Sequence, residues 1–356
     1  MGKKYDSLNG MRAYAAIAIL AMHVLENSEY TGIASIVSTK VDLLKWLIYL
    51  FMIISGFSLC CGYYERILHQ SISLNPSSWF TNQFVEFYKK RYKKILPFFA
   101  LLVFMDCMMN LSLNSVIEGI ADITLVYALL PNASISVLGV GWFLGIVFLF
   151  YMIFPFYCFW MRSKKNAWLT FAVCVFYNLS EQLYFLDSSH VVEGYQSHTN
   201  FLFCSVFFCA GGLIYLYRNE FMVYVKKYRY GYLLVILLMT IASFYAWPQI
   251  SGLVEPFVCL IVFSLWIIYA ISVESIVLNN KWVTFISGIS LEIYLCHMFV
   301  YRILEKMHIL YILGRGYLAY VSMVFVTLFG SICVSLLSQK GIAKIESVVK
   351  RICEPK

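Results

Sequence analysis

The chain has 356 residues, of which 61% are hydrophobic, 18% aromatic and 13% charged, with a formal net charge of +8 and a mean hydropathy of +0.76. This composition excludes a soluble globular domain and a disordered chain, and identifies an integral membrane protein. The positive charge is therefore a topology signal, and no nucleic-acid partner is expected.

Runs long enough to cross a bilayer lie near 9–27, 43–64, 95–114, 140–161, 166–186, 200–217, 230–249, 252–274, 283–303 and 317–338. They predict an all-α polytopic membrane protein of about ten transmembrane helices, a single domain over 1–356 with no fused extracellular domain. With the N-terminus inside, 22 of the 27 Lys and Arg fall on cytoplasmic ends, and only Lys40, Lys45, Arg302, Lys306 and Arg315 fall outside. Both termini are thus expected in the cytoplasm. No small-x-small cleavage site follows the first run, which is expected to be retained. Ten of the eleven cysteines sit inside apolar runs and none forms a CxxC pair, so they read as small core hydrophobes, and no metal is expected.

Three connections are longer than turns. The cytoplasmic stretch 65–94 ends in a basic cluster before Pro97 and predicts an amphipathic surface helix. The outer stretch 115–139 mixes Glu118, Asp122 and Asn132 with Ile117, Ile120, Ile123 and Leu125, holds no cation, and predicts an interfacial or re-entrant helix. The outer loop 187–199 carries Asp187, His190, Glu193 and His198, a mildly acidic surface. No internal repeat of the transporter kind is visible.

The first run holds Arg12 and His23, eleven positions apart. At ~100° per residue they share a helix face, roughly 16 Å apart along the axis. An ionisable side chain within a span is a functional candidate, and two on one face predict one lined cavity. The plainer readings are an Arg12 that snorkels to the headgroups and a His23 that is a hydrogen-bonded packing residue.

In the second run, Ser55 and Gly56 fit close helix packing. The cluster Lys89 to Lys94 is either an anchor at the anionic headgroups or a place where Arg91 and Lys94, one turn apart, hold phosphates of a cytosolic ligand. Trp142 reads as an interfacial anchor, and Pro155 predicts a kink. Ser290, Tyr294 and His297 share a face by spacing, from which Glu292 points away. Glu292 lies among Leu291, Ile293 and Leu295 and needs a partner, with Arg12 or a polar neighbour the simplest. This island is either an interhelical hydrogen-bond network or part of a catalytic site.

Together these segments resemble the membrane-bound acyltransferase family 3, the polytopic O-acyltransferases of bacterial surface polysaccharides. The resemblance is carried by Leu8-Asn9-Gly10-Met11-Arg12 with His23, by Phe51 to Leu59, by Arg91 to Pro97, by Trp142-Phe143-Leu144 through Phe150 to Pro155, and by Ser290 to His297, in the family's order over about 290 residues. The chain departs from the pattern at Asn9, where the family often has Asp, at Lys94, where it often has a second Arg, and at Leu149, near which it has a polar residue. Lys94 keeps the charge and loses the planar fork.

The resemblance implies an O-acetyltransferase of the bacterial inner membrane. It would move acetyl from cytoplasmic acetyl-CoA to a hydroxyl of a cell-surface or lipid-linked polysaccharide, with membrane lipids around it. Arg91 and Lys94 would meet the CoA phosphates, with Arg12 and Ser55 further along its path. His23 would be the general base on the acceptor hydroxyl. Ser290, Tyr294 and Ser55 are the candidate oxyanion donors, and Glu292 would orient or pair with a cation. The competing class is a transporter or flippase that uses Arg12, His23 and Glu292 as coupling charges. Oligomeric state is not read from the sequence.

Overall fold

A backbone in lipid has to satisfy its own hydrogen bonds, so apolar runs of this length fold as helices. The computed structural model describes residues 5–28, 30, 33, 35–68, 76–109, 111–129, 138–185, 196–246, 252–309, 312 and 314–353. Among these there is no strand. The helices are α1 (Asp6–Glu26), α2 (Ser35–Asp42), α3 (Leu47–Leu59), α4 (Pro76–Met109), α5 (Leu113–Ile123), α6 (Trp142–Trp160), α7 (Lys164–Ser180), α8 (Phe201–Leu216), α9 (Arg218–Lys227), α10 (Arg229–Ala246), α11 (Glu255–Ser272), α12 (Lys281–Gly288), α13 (Ser290–Lys306) and α14 (Tyr317–Cys353).

Six stretches are long and apolar enough to cross a membrane: Asp6–Glu26, Lys40–Leu68, Trp142–Trp160, Arg229–Ala246, Gly252–Ser272 and Tyr317–Val348. The bent pairs α8 with α9 (74°) and α12 with α13 (69°) bring the number to eight if each is one span. The chain is thus an all-helical membrane protein with fewer clear crossings than the ten expected. The two helices that fall short do so for identifiable reasons. The apolar half of α4 is flanked by Lys93 and Lys94 and contains Asp106, and α7 is 17 residues long.

The surface helix expected over 65–94 and the third apolar run form one continuous helix, because Pro97 lies inside α4 and not at its end. Pro155 is likewise inside α6. Each costs one ladder hydrogen bond without stopping its helix. The helix expected over 115–139 is α5, whose start Ser112 and Ser115 cap reciprocally. It exposes Leu113, Ile117 and Ile120 and turns Gly119 toward Val103 and Cys107 of α4. Tyr127 then donates to the Gly141 carbonyl and accepts the Gly145 N–H at 3.1 Å, which pins the start of α6. Asn132, Asp187, His190 and Glu193 lie outside the described residues.

The tightest crossing is α3 on α8. A Cβ on Gly56 would collide with the Phe208 carbonyl, and one on Gly211 with the Ile53 carbonyl and the Phe57 nitrogen, so the two backbones touch as the small-residue reading requires. Past α3 the chain winds through a π-helical segment, Cys60–Tyr64, an arrangement often found beside functional sites. The ten cysteines from Cys60 to Cys333 are free thiols.

Candidate functional site

Between α1, α3, α4, α6 and the elbow of α12 and α13 lies a cavity of about 180 Å³. Arg12, Ser55, Arg91, Lys94, Ser290, Glu292 and Tyr294 all line it. Seven of the eight side chains singled out from sequence therefore converge on one space. His23 is not among the lining residues.

Each cation is placed by its own helix. Arg12, two turns into α1, donates from Nη2 to Ser58 Oγ at 2.7 Å. Arg91 lies among aromatic faces, with its guanidinium carbon 5.0 Å from the Tyr63 ring, 5.2 Å from Tyr151 and 5.5 Å from Phe87. Its Nε is buried without a hydrogen-bond partner among the described residues. The π-helical segment carries Tyr63 and so helps to form this cage. Lys94 sits one turn on, exposed along its flank. Burial of its ammonium lowers its pKa, as do the neighbouring Arg91 and Arg12 charges, while Glu292 opposes them.

Among the described residues none of these three cations has a carboxylate within 4.0 Å. Of the two partners expected for Glu292, Arg12 or a polar neighbour, it has the second. Its Oε1 accepts from Gln339 Nε2 of α14 at 2.9 Å. Glu292 does not, however, point away from Ser290 and Tyr294. The chain breaks at Ile289 and α13 starts at the cavity wall, so Ser290, Leu291 and Glu292 of its first turn all line the space. No side chain caps this start. Its free N–H groups and dipole add positive potential to that of the cations.

The hydroxyls differ in how they are engaged. Tyr294 donates to the Val140 carbonyl at 3.1 Å, and Ser290 donates to the Ser287 carbonyl at 3.0 Å. Ser55 makes no hydrogen bond among the described residues.

Beyond Tyr294 is a second centre. His297, one turn along α13, has its ring centroid 5.9 Å from that of Tyr294 and 5.2 Å from that of His23, at 30° to the latter. His23 places Nδ1 3.3 Å from Glu26 Oε2, and its side chain is 24% exposed. The single cavity expected from the shared face of Arg12 and His23 is therefore two places with Tyr294 and His297 between them. The face is shared, but eleven residues of α1 carry His23 past the end of the cavity.

Sequence reasoning passed over Ser58, the Arg91 cage and Gln339, and it gave His297 no role. Ser58 follows Ser55 at helical spacing and was open to discovery. The cage depends on the π-helical segment and the Gln339 contact on a residue 47 positions away, neither of which leaves a local signal.

An acyltransferase domain model of acyltransferase family 3 matches residues 5–339, nearly the whole chain. No curated protein and no solved structure matches.

Proposed function

The chain belongs to acyltransferase family 3, and on that premise we propose that it is an O-acetyltransferase taking acetyl from cytoplasmic acetyl-CoA to a hydroxyl of a cell-surface or lipid-linked polysaccharide. The observation that carries this reading is the cavity with three cations and no carboxylate paired to them. Partly buried charges without counter-ions cost several kcal/mol, and a polyanionic ligand offsets that cost. Phosphates fit the donor set, since Arg91 and Arg12 offer planar forks, Lys94 a point charge, and α13 an uncapped N-terminus.

In this reading all ten apolar runs cross the bacterial inner membrane, with both termini in the cytoplasm. The basic residues of α4 then mark the inner mouth, and the His23 end of α1 faces out. CoA enters with its phosphates on Arg91 and Lys94 and its arm passing Arg12 and Ser55 toward Tyr294. His23 Nε2 removes the proton of the acceptor hydroxyl as that oxygen attacks the thioester carbonyl. The C–S bond breaks and CoA leaves as its thiol. Ser55, with its hydroxyl unspent, is the readiest oxyanion donor, while Ser290 and Tyr294 would first give up a carbonyl partner. Glu292, held by Gln339, orients Lys94.

The test is thiol release from acetyl-CoA by purified protein in nanodiscs, with wild type and His23→Ala side by side. Release that rises with added glycan and drops by ~10²–10⁴-fold in the variant supports the reading. Substrate flux without CoA binding or thiol release overturns it in favour of a transporter.

A further inference from the structure

The histidine on α13 is positioned by an unusual combination of contacts. His297 is 1% exposed. Its Nδ1 lies 2.6 Å from the Tyr294 carbonyl, and a carbonyl only accepts, so Nδ1 carries the proton. Nε2 is then a bare lone pair, and it is buried with no hydrogen-bond partner among the described residues. An acceptor left unsatisfied in a protein interior costs ~1–3 kcal/mol, and a packing residue would not need one.

The neighbour that can supply a donor is His23. Its Nδ1 faces the Glu26 carboxylate, which places the proton on that nitrogen and leaves Nε2 free to act as base. Once Nε2 has taken a proton, the ring is an imidazolium with a second N–H to place. The 5.2 Å between ring centroids is about the separation of two imidazoles joined by an N–H···N bond of ~2.9 Å. The bond needs the two rings edge to edge at that separation, where they now stand at 30° to one another.

We propose that His297 is a positioning residue for the base: its Nε2 accepts the N–H of protonated His23 and so stabilises the imidazolium formed during acyl transfer. This rests on the acyltransferase reading above. The proton leaves the acceptor hydroxyl for His23 Nε2, is held there by His297, and passes to the departing CoA sulfur. Oxygen–carbon bond formation balances carbon–sulfur cleavage, and nothing is oxidised or reduced. The ionisable groups on the elements around the pair include Glu26 on α1, Lys45 before α3, Asp106 on α4, Tyr294, Cys296, Tyr301 and Arg302 on α13, and Tyr320 on α14, which donates to the Ala21 carbonyl. Among them Glu26 meets His23 from the opposite ring edge, and Arg302 is engaged with Asp106.

Two substitutions separate this role from a structural one. His297→Asn keeps a donor near the Nδ1 position, toward the Tyr294 carbonyl, and removes the Nε2 acceptor. His297→Gln sets an amide oxygen near the Nε2 position and gives up the Tyr294 bond. The proposal expects the Asn variant to keep the wild-type melting temperature and CoA affinity while its thiol release falls ~100-fold, and the Gln variant to recover at least ~10-fold of that loss. A wild-type rate in the Asn variant, or a Gln variant no faster than Asn, overturns it and leaves the acyltransferase reading standing. A wild type that neither binds CoA nor releases thiol removes that reading, and this proposal with it. If neither variant folds, histidine ¹⁵N spectra of the wild-type protein decide. A His297 Nε2 signal that moves to a hydrogen-bonded position as His23 is protonated supports the pair, and an unchanged signal overturns it.

Discussion

Arg302, in the C-terminal half of α13, and the arginines of the cavity are the same side chain in the same helical bundle, treated in opposite ways. Arg302 donates to Asp106 Oδ1 at 2.9 Å, with the Asp106 side chain 4% exposed and that of Arg302 36%. Arg12 has a serine hydroxyl, and Arg91 has three aromatic faces. A fold that needs a charge only for its own structure supplies the opposite charge. A fold that leaves cations with hydroxyls and ring faces keeps their Coulombic capacity for something else. The contrast separates an ion pair that holds helices together from a site that waits for an anion.

The largest expected effect breaks that contrast at the cavity. Arg91→Ala and Arg12→Ala should each weaken CoA binding by ~10–100-fold in calorimetry. Neither should lower the melting temperature, because the charge removed has no carboxylate to abandon. A variant that loses stability and binds CoA as before would make its arginine structural. At Arg302 the expectation reverses. Asp106→Asn leaves Arg302 facing a neutral amide and should cost ~1–3 kcal/mol of stability, less than a fully buried pair because Arg302 is partly exposed. CoA affinity should not change, and Asp106→Leu with Arg302→Met should regain most of the loss in a thermal melt.

The smallest effect sharpens the comparison with a third, uncharged site in the turn before α8. His198 packs its ring edge-on to Trp142 at 4.9 Å, and burial, aided by the nearby Lys45 charge, lowers its pKa to about 4. The unfolded chain then binds a proton that the folded one refuses between the ordinary value of ~6.5 and about 4. Stability is full above that window and declines as pH falls through it. His198→Phe should flatten this part of the pH–stability curve, and a slope that persists would place its origin elsewhere.

Much of the helical layout was legible because lipid imposes one solution on a long apolar run. A helix lies in each of the ten runs, and seven of the eight side chains singled out from the sequence gather at one cavity. What was not legible depends on breaks in regularity. Ser290, Tyr294 and His297 all lie in α13, but only the first two line the cavity and His297 lies beyond them against His23. Glu292 was misplaced because a helix that starts at a cavity presents its whole first turn, which face-counting along a continuous helix does not foresee. Arg12 and His23 were assigned to one cavity because angular position was weighed above the length of the helix between them. The bare nitrogen of His297 has no sequence signal, since it follows from a 2.6 Å contact to its own helix backbone.

The interlocked glycines of α3 and α8 also determine where this protein can change shape. With the Gly56 and Gly211 backbones in contact, neither helix can slide a fraction of a turn without driving a Cβ or a carbonyl into the other. The pair therefore behaves as a stator. The break in regularity lies instead at the elbow of Ile289, where α12 meets α13 at 69° and Tyr294 stands between the cavity and His297. Bending there would carry Ser290, Tyr294 and His297 together on α13, while His23 stays with α1.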